Sequence, residues 1–165
     1  MVPHPQSTFL KFYQYDVFVK EGVYTCDMRA KEDFKTIVFG RNINEPTVYT
    51  IKLVNLNAKK WLTWGIGAAS TFGVTSFSHK DFLNYDYAAC WLRDNGVDSK
   101  KVPNKGGPNS VLQLRVNTNN KLVEWVVDGV VVVNAKITPH LQKVPIFLRL
   151  HTCFKDRFII TRRPM

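Results

Sequence analysis

Four glutamates, Glu21, Glu32, Glu45 and Glu124, are the candidates for paired-carboxylate chemistry, and none has an acidic residue two positions away. A retaining glycosidase needs two carboxyl groups about 5 Å apart, which alternate residues of one strand deliver, so the spacing argues against that reaction. His151 and Cys153 share a side in an extended chain, and Cys90 is a second thiol. A thiol–imidazole nucleophile also needs a third orienting group and an oxyanion donor, and none is indicated. Gly65-Ile66-Gly67-Ala68-Ala69-Ser70 lacks the third glycine and the following helix of a dinucleotide loop. Asp94, Asn95 and Asp98 are the only clustered oxygens for a lectin-type cation, in a stretch that reads as a solvated turn. The expectation is no enzyme, no cofactor and no metal site.

Binding chemistry remains. Lys and Arg number 23 against 13 Asp and Glu, a net charge of +10, of which +6 falls in residues 111–165. Arg149, Lys155, Arg157, Arg162 and Arg163 crowd that segment. Guanidinium groups hold carboxylate or phosphate bidentately, so an acidic peptide or a polyanion fits this balance, although a solvated basic face is the commoner fate of such residues. The aromatic-bearing strand and the GXXG clamp of common RNA-binding modules are missing. Nucleic acid is therefore second choice, on charge alone, and a carbohydrate-binding lectin-like domain is third. Trp64, Trp91 and Trp125 stand in strand-like runs that predict core positions. Trp61 follows Lys59-Lys60 at the opposite parity from Trp64, which predicts an edge or the surface.

These side chains must be positioned by strands. The 165 residues, 45% hydrophobic and 13% aromatic, suffice for one well-filled domain. Apolar segments are short, β-branched or aromatic, and closed by Gly, Pro, Asn or Asp. Phe9 to Val19, Thr47 to Leu53, Trp61 to Gly67, Val111 to Asn117, Ile146 to Leu150 and Phe158 to Ile160 read as strands. Leu122 to Val133 carries Asp128-Gly129 between two β-branched runs, the signature of a tight hairpin. His79 to Leu92 reads as an irregular loop or a turn or two of helix, and Asp94 to Ser110 as the longest turn-rich loop. The pattern predicts an all-β sandwich or barrel with little helix, over residues 8–161, with flexible tails at 1–7 and 162–165. Cys26, Cys90 and Cys153 are odd in number and far apart, and no Asn-X-Ser/Thr sequon occurs. With no apolar run of membrane length and no secretory signal at the start, free thiols and an intracellular setting, cytoplasmic or nuclear, are expected.

The order of motifs adds to this. Tyr49 in an aromatic strand is followed by Trp64-Gly65-Ile66-Gly67, by Trp91 leading to Asp94-Asn95-Gly96, by a Gly-rich loop into Val111-Leu112-Gln113-Leu114, by a strand ending at Asp128-Gly129, and by Val144-Pro145-Ile146-Phe147-Leu148. This set resembles the SPRY domain over roughly Val17 to Ile160, as a divergent member, since Thr50 and Asn117 stand where the family carries acidic residues. The resemblance implies a bent antiparallel β-sandwich of jelly-roll or concanavalin-like type, used as a non-catalytic protein-interaction module. It further implies an adaptor surface on loops at one end, capturing a short segment of a protein or peptide partner. Carried over by position, those loops are Asp27 to Asp33 with Arg29 and Lys31, Ser70 to Lys80 with Phe72 and Phe77, and His151 to Asp156 with Phe154 and Lys155.

Overall fold

A computed structural model describes residues 15–20, 23–28, 35–39, 42–71, 81–94, 97–152 and 156–165, with backbone alone for the first three stretches and for residues 71, 97–99 and 152. Thirteen strands occur among them: β1 (Tyr15–Lys20), β2 (Val23–Met28), β3 (Lys35–Phe39), β4 (Thr47–Asn55), β5 (Thr63–Ala68), β6 (Phe82–Asp86), β7 (Trp91–Asp94), β8 (Val97–Lys101), β9 (Val111–Asn117), β10 (Leu122–Val127), β11 (Val130–Lys136), β12 (Ile146–Thr152) and β13 (Arg157–Pro164). A seven-stranded sheet has the order β1-β2-β13-β4-β9-β10-β11, and a six-stranded sheet the order β3-β12-β5-β6-β7-β8. Every pairing is antiparallel. The only helix among the described residues is the single 3₁₀ turn Ala69–Thr71, and no helix there is long and apolar enough to cross a membrane.

The period of two that defines the strands also fills the space between the sheets. Ile51, Leu112, Leu114, Val116, Val123 and Trp125 from the larger sheet face Trp64, Ile66, Leu83, Tyr85, Leu148 and Leu150 from the smaller one, all of them fully buried. Trp125 spans the interior, its indole Nε1 donating to the main-chain carbonyl of Trp64 at 2.6 Å. Trp64 in turn meets the rings of Tyr85 and Tyr87 edge-on at 5.4 and 5.7 Å. The hairpin turn between β10 and β11 has Asp128 at φ 48° and Gly129 at φ 82°, the two positive angles that the Asp-Gly pair predicted.

Four expectations are corrected. His79 to Leu92 is no helix: its described part holds β6 and β7, because Leu83 and Tyr85 alternate into the core and Asp86 closes the turn, its Oδ1 accepting from the Ala89 N–H at 2.9 Å. The loop after Asp94 contains β8, paired with β7. Trp91 is half-buried rather than core, since β7 is next to the sheet edge, and Lys101 reaches to 5.9 Å from its ring. Residues 162–164, expected as tail, extend β13, with Arg162 opposite Tyr49 and Pro164 opposite Thr47.

Two substitutions test this interior. Trp125→Ala removes a fully buried indole and its bond across the sandwich, and urea unfolding is expected to show a loss of about 3–5 kcal/mol. Gly129→Val forces a β-branched residue to positive φ, and the same measurement is expected to show a loss of about 1–2 kcal/mol.

Candidate functional site

Register places the loops. At one end of the sandwich Arg157 stands opposite Asp27 and Asn55, Lys52 opposite Val111, His151 opposite Thr63, and Thr152 opposite Lys35. The connections 56–62, 102–110 and 128–129 therefore gather there, where β2 and β12 end and β3 and β13 begin. At the other end Ala68 faces Ile146, so the segment 69–81 leaves from the opposite side. Of the three loops expected to share an end, residues 29–34, 72–80 and 153–155 lie outside the described residues; the strands that flank the first and third end on this side, and β5 and β6, which flank the second, meet on the other. Arg29, Lys31, Phe72, Phe77, Phe154 and Lys155 themselves lie outside the described residues. His151 is in β12 and only 1% exposed, so it is a buried strand residue rather than a surface contact.

The described walls at the first end are held by side chains that satisfy loop backbone. Asp156, 1% exposed, accepts from the Asn57 backbone N–H at 2.7 Å with Oδ1 and from Asn57 Nδ2 at 2.9 Å with Oδ2. Asn57 Oδ1 then accepts from the Trp61 N–H at 2.8 Å, and Asn57 Nδ2 donates to the Trp61 carbonyl at 3.1 Å. This ladder fixes Trp61 at the surface, 37% exposed, with Lys59 Nζ 4.3 Å above its ring. On the other wall Asp128 accepts from the Ser110 hydroxyl at 2.7 Å and from the Val111 N–H at 2.9 Å. Asn104 donates to Tyr85 Oη at 3.1 Å and accepts from the Gly106 N–H at 2.9 Å, and Lys60 Nζ reaches the Gly106 carbonyl at 3.2 Å. Between the pinned loop and the hairpin lies a cleft of about 420 Å³, walled by Pro103, Lys105, Gly106, Val127, Val130 and Val132. Val54, Val111, Val130 and Val131, 39–64% exposed, belong to the same end. The sequence marked Pro103 and Gly106-Gly107-Pro108 only as turn formers. The signal that they form a wall was Asn104, whose amide can bond backbone on both sides.

A second group lies on the face of the smaller sheet turned away from the core. Arg149 and His151 from β12, Thr63 and Gly65 from β5, Asn84 and Asp86 from β6 and Arg93 from β7 share that face by register. A Cβ on Gly65 would stand 2.0 Å from the Leu83 carbonyl oxygen and 2.7 Å from Asn84 Oδ1, so only glycine lets β6 carry Asn84 here. Arg149, 2% exposed, lays its guanidinium 4.3 Å from the Phe82 ring centroid, and Arg93 pairs with Asp86 at 3.3 Å. Burial, then the charges of Arg149 and Arg93, hold the His151 ring far below its ordinary range, at about 3. A buried, neutral imidazole on the same face as two guanidiniums is a packing element of that face.

The C-terminal basic residues are not one patch. Arg149 is buried on the smaller sheet, while Arg157 and Arg163 sit near opposite ends of β13 on the larger one, roughly 20 Å apart at strand rise. Arg162 turns to Thr47 Oγ1 at 3.4 Å and to the Tyr49 ring. Among the described residues no three His, Cys, Asp or Glu side chains form a metal-holding group.

No protein-family model matches the sequence, and no curated protein matches it. Solved structures do. The SPRY domain of human HERC1 aligns over 92% of this chain and 95% of its own at TM-score 0.66 and 8% identity. A human SPRY domain aligns over 89% and 94% at TM-score 0.68 and 9% identity, and the TRIM65 PSpry domain over 93% and 88% at TM-score 0.64 and 6% identity. The chain has the SPRY-domain fold, a concanavalin-like sandwich, in a divergent sequence.

The buried histidine yields a pH test. Between pH 6.5 and about 3 the unfolded chain binds a proton that the folded His151 refuses, so its contribution to stability is complete above pH 6.5 and is lost as pH falls. The melting temperature of the wild type is expected to drop more steeply from pH 6.5 to 4 than that of His151→Gln, by roughly 3–5 °C per pH unit. Parallel curves in a calorimeter would place the ring in solvent.

Proposed function

We propose that this chain is a non-catalytic protein-interaction module, an adaptor or complex subunit, that captures a short acidic segment of a partner protein at the loop end bearing Trp61 and the adjoining cleft. The observation that carries the reading is that rigid end: an exposed indole and an apolar cleft whose walls are fixed by bonds from Asp156, Asn57, Asn104 and Asp128. A surface ordered before binding loses little entropy on association, and an aromatic anchor combines buried area with direction. The SPRY fold supports the same use, as the family resemblance implied. Lys59, Lys60 and Lys105 ring the site, and Arg29, Lys31, Phe154 and Lys155 belong to loops whose flanking strands end beside it. Phe72 and Phe77 belong to the connection that leaves from the opposite end and are not part of the proposed site. An intracellular setting, cytoplasmic or nuclear, fits the free thiol of Cys90.

The polyanion alternative loses ground because its arginines are dispersed. The two are separated by affinity capture from cell lysate followed by mass spectrometry, on wild type and variants. One dominant protein is expected to be retained at 0.15 M salt, to fall at least tenfold with Trp61→Ala or Phe154→Ala, and to persist with Arg162→Gln/Arg163→Gln. Recovery mainly of nucleic acid, collapsing with salt and dependent on that arginine pair, would replace the module reading.

A further inference from the structure

Strand β11, Val130–Lys136, closes one side of the seven-stranded sheet. Its sequence is Val-Val-Val-Val-Asn-Ala-Lys, uncharged until the last residue and without proline. Among the described residues its backbone bonds go to β10 alone, while Val133, 4% exposed, sits in the core with Val132 and Ala135 packed against it. Proteins ordinarily blunt such an edge with charge, proline, a bulge or a covering segment, and of these β11 shows, among the described residues, a single register shift against β10, at Val132. The edge of the other sheet shows the contrast, since β8 is five residues long and includes Asp98, Lys100 and Lys101. On β11 the donors and acceptors that no described residue takes up stand beside the cleft. Val130 and Val132 both line it, together with Pro103, the register shift at Val132 turning that side chain to the same cleft as Val130.

Resting on the peptide-capture reading, we propose that the free edge of β11 takes an extended segment of a partner protein as an added strand, with alternate apolar side chains entering the cleft against Val130, Val132 and Pro103. A strand docked there lies about 4.8 Å from β11, close enough for its backbone to complete the open ladder while every second side chain turns inward. Main-chain bonds then supply affinity, and the cleft supplies preference for apolar residues at alternate positions. The charges select what flanks them. Lys105 stands at the cleft and Lys136 at the far end of β11, both exposed. Asp128, the acid nearest the turn, is occupied by Ser110 and Val111. A second copy of this chain would bring the same lysines and another +10 of net charge against them, whereas a segment with Asp or Glu at both ends of an apolar run is matched.

The test is selection of a random twelve-residue peptide library on the full chain, followed by synthesis of the enriched peptides with backbone N-methyl groups at alternate positions. Enriched sequences are expected to alternate apolar residues between acidic ends. N-methylation of one parity should weaken binding at least tenfold and of the other less than twofold, because only one parity points its N–H groups at β11. Val130→Glu, at a position 64% exposed and so without consequence for folding, should weaken the same peptides at least tenfold. Peptides that bind but lose nothing by N-methylation of either parity, or nothing with Val130→Glu, would overturn strand addition and leave peptide capture standing. Failure to enrich any peptide would overturn both. Concentration-dependent dimerisation abolished by Val130→Glu in sedimentation would assign the edge to a second copy instead.

Discussion

The indole of Trp125 is the joint on which the two sheets close. It enters from the larger sheet, fills the interior and donates to the Trp64 carbonyl of the smaller one. A buried N–H left without an acceptor costs about 1–3 kcal/mol, so this bond rewards one relative placement of β10 and β5. Trp64 passes the constraint on through its edge-on contacts with Tyr85 and Tyr87. The hydroxyls of those tyrosines continue outward: Tyr87 donates to the Gly107 carbonyl at 2.9 Å, and Tyr85 donates to the Val102 carbonyl. A chain of contacts thus runs from the centre of the sandwich to the loop that walls the cleft.

That continuity explains how an otherwise irregular loop stays in place. Residues 102–110 contain proline and glycine and have no ladder of their own, yet nearly every turn is answered by a side chain from packed structure. Tyr85 comes from the smaller sheet and Tyr87 from the turn after β6, Asp128 from the hairpin of the larger sheet, and Lys60 from the loop that Asp156 and Asn57 hold. The cleft is consequently made from both sheets, and its shape depends on their relative placement.

The distribution of charge separates two roles that look alike in composition. Arg149 and Arg93 are spent on Phe82 and Asp86, and burial, reinforced by their charges, keeps His151 neutral. Lys59, Lys60 and Lys105 remain at the loop end, where opposite charge in solvent is attracted without the cost of burial. Net basicity is therefore a poor guide to the site, and position on the strands is a better one.

Much of the sandwich was legible in the sequence because β periodicity is local. Tyr49-Thr50-Ile51-Lys52-Leu53 announces which face is buried, and Asp128-Gly129 announces its turn, since both depend on residues a few positions apart. The run 79–92 was misread because Asn84 and Asp86 look like loop formers until pairing with β5 and β7 fixes them as the alternate residues of a central strand. Likewise His151 reads as a loop contact until β12 buries it on the outer face of the smaller sheet. The SPRY-like order of motifs conveyed the fold but not which end each strand finishes at, because that depends on strand direction and on how many strands intervene. The sequence by itself determined the strand class, the tight hairpin and the central tryptophans. Only the tertiary structure decided that Val130 and Val132 line a cleft together with Pro103 and that β11 ends a sheet, because those relations join residues distant in sequence through long-range pairing.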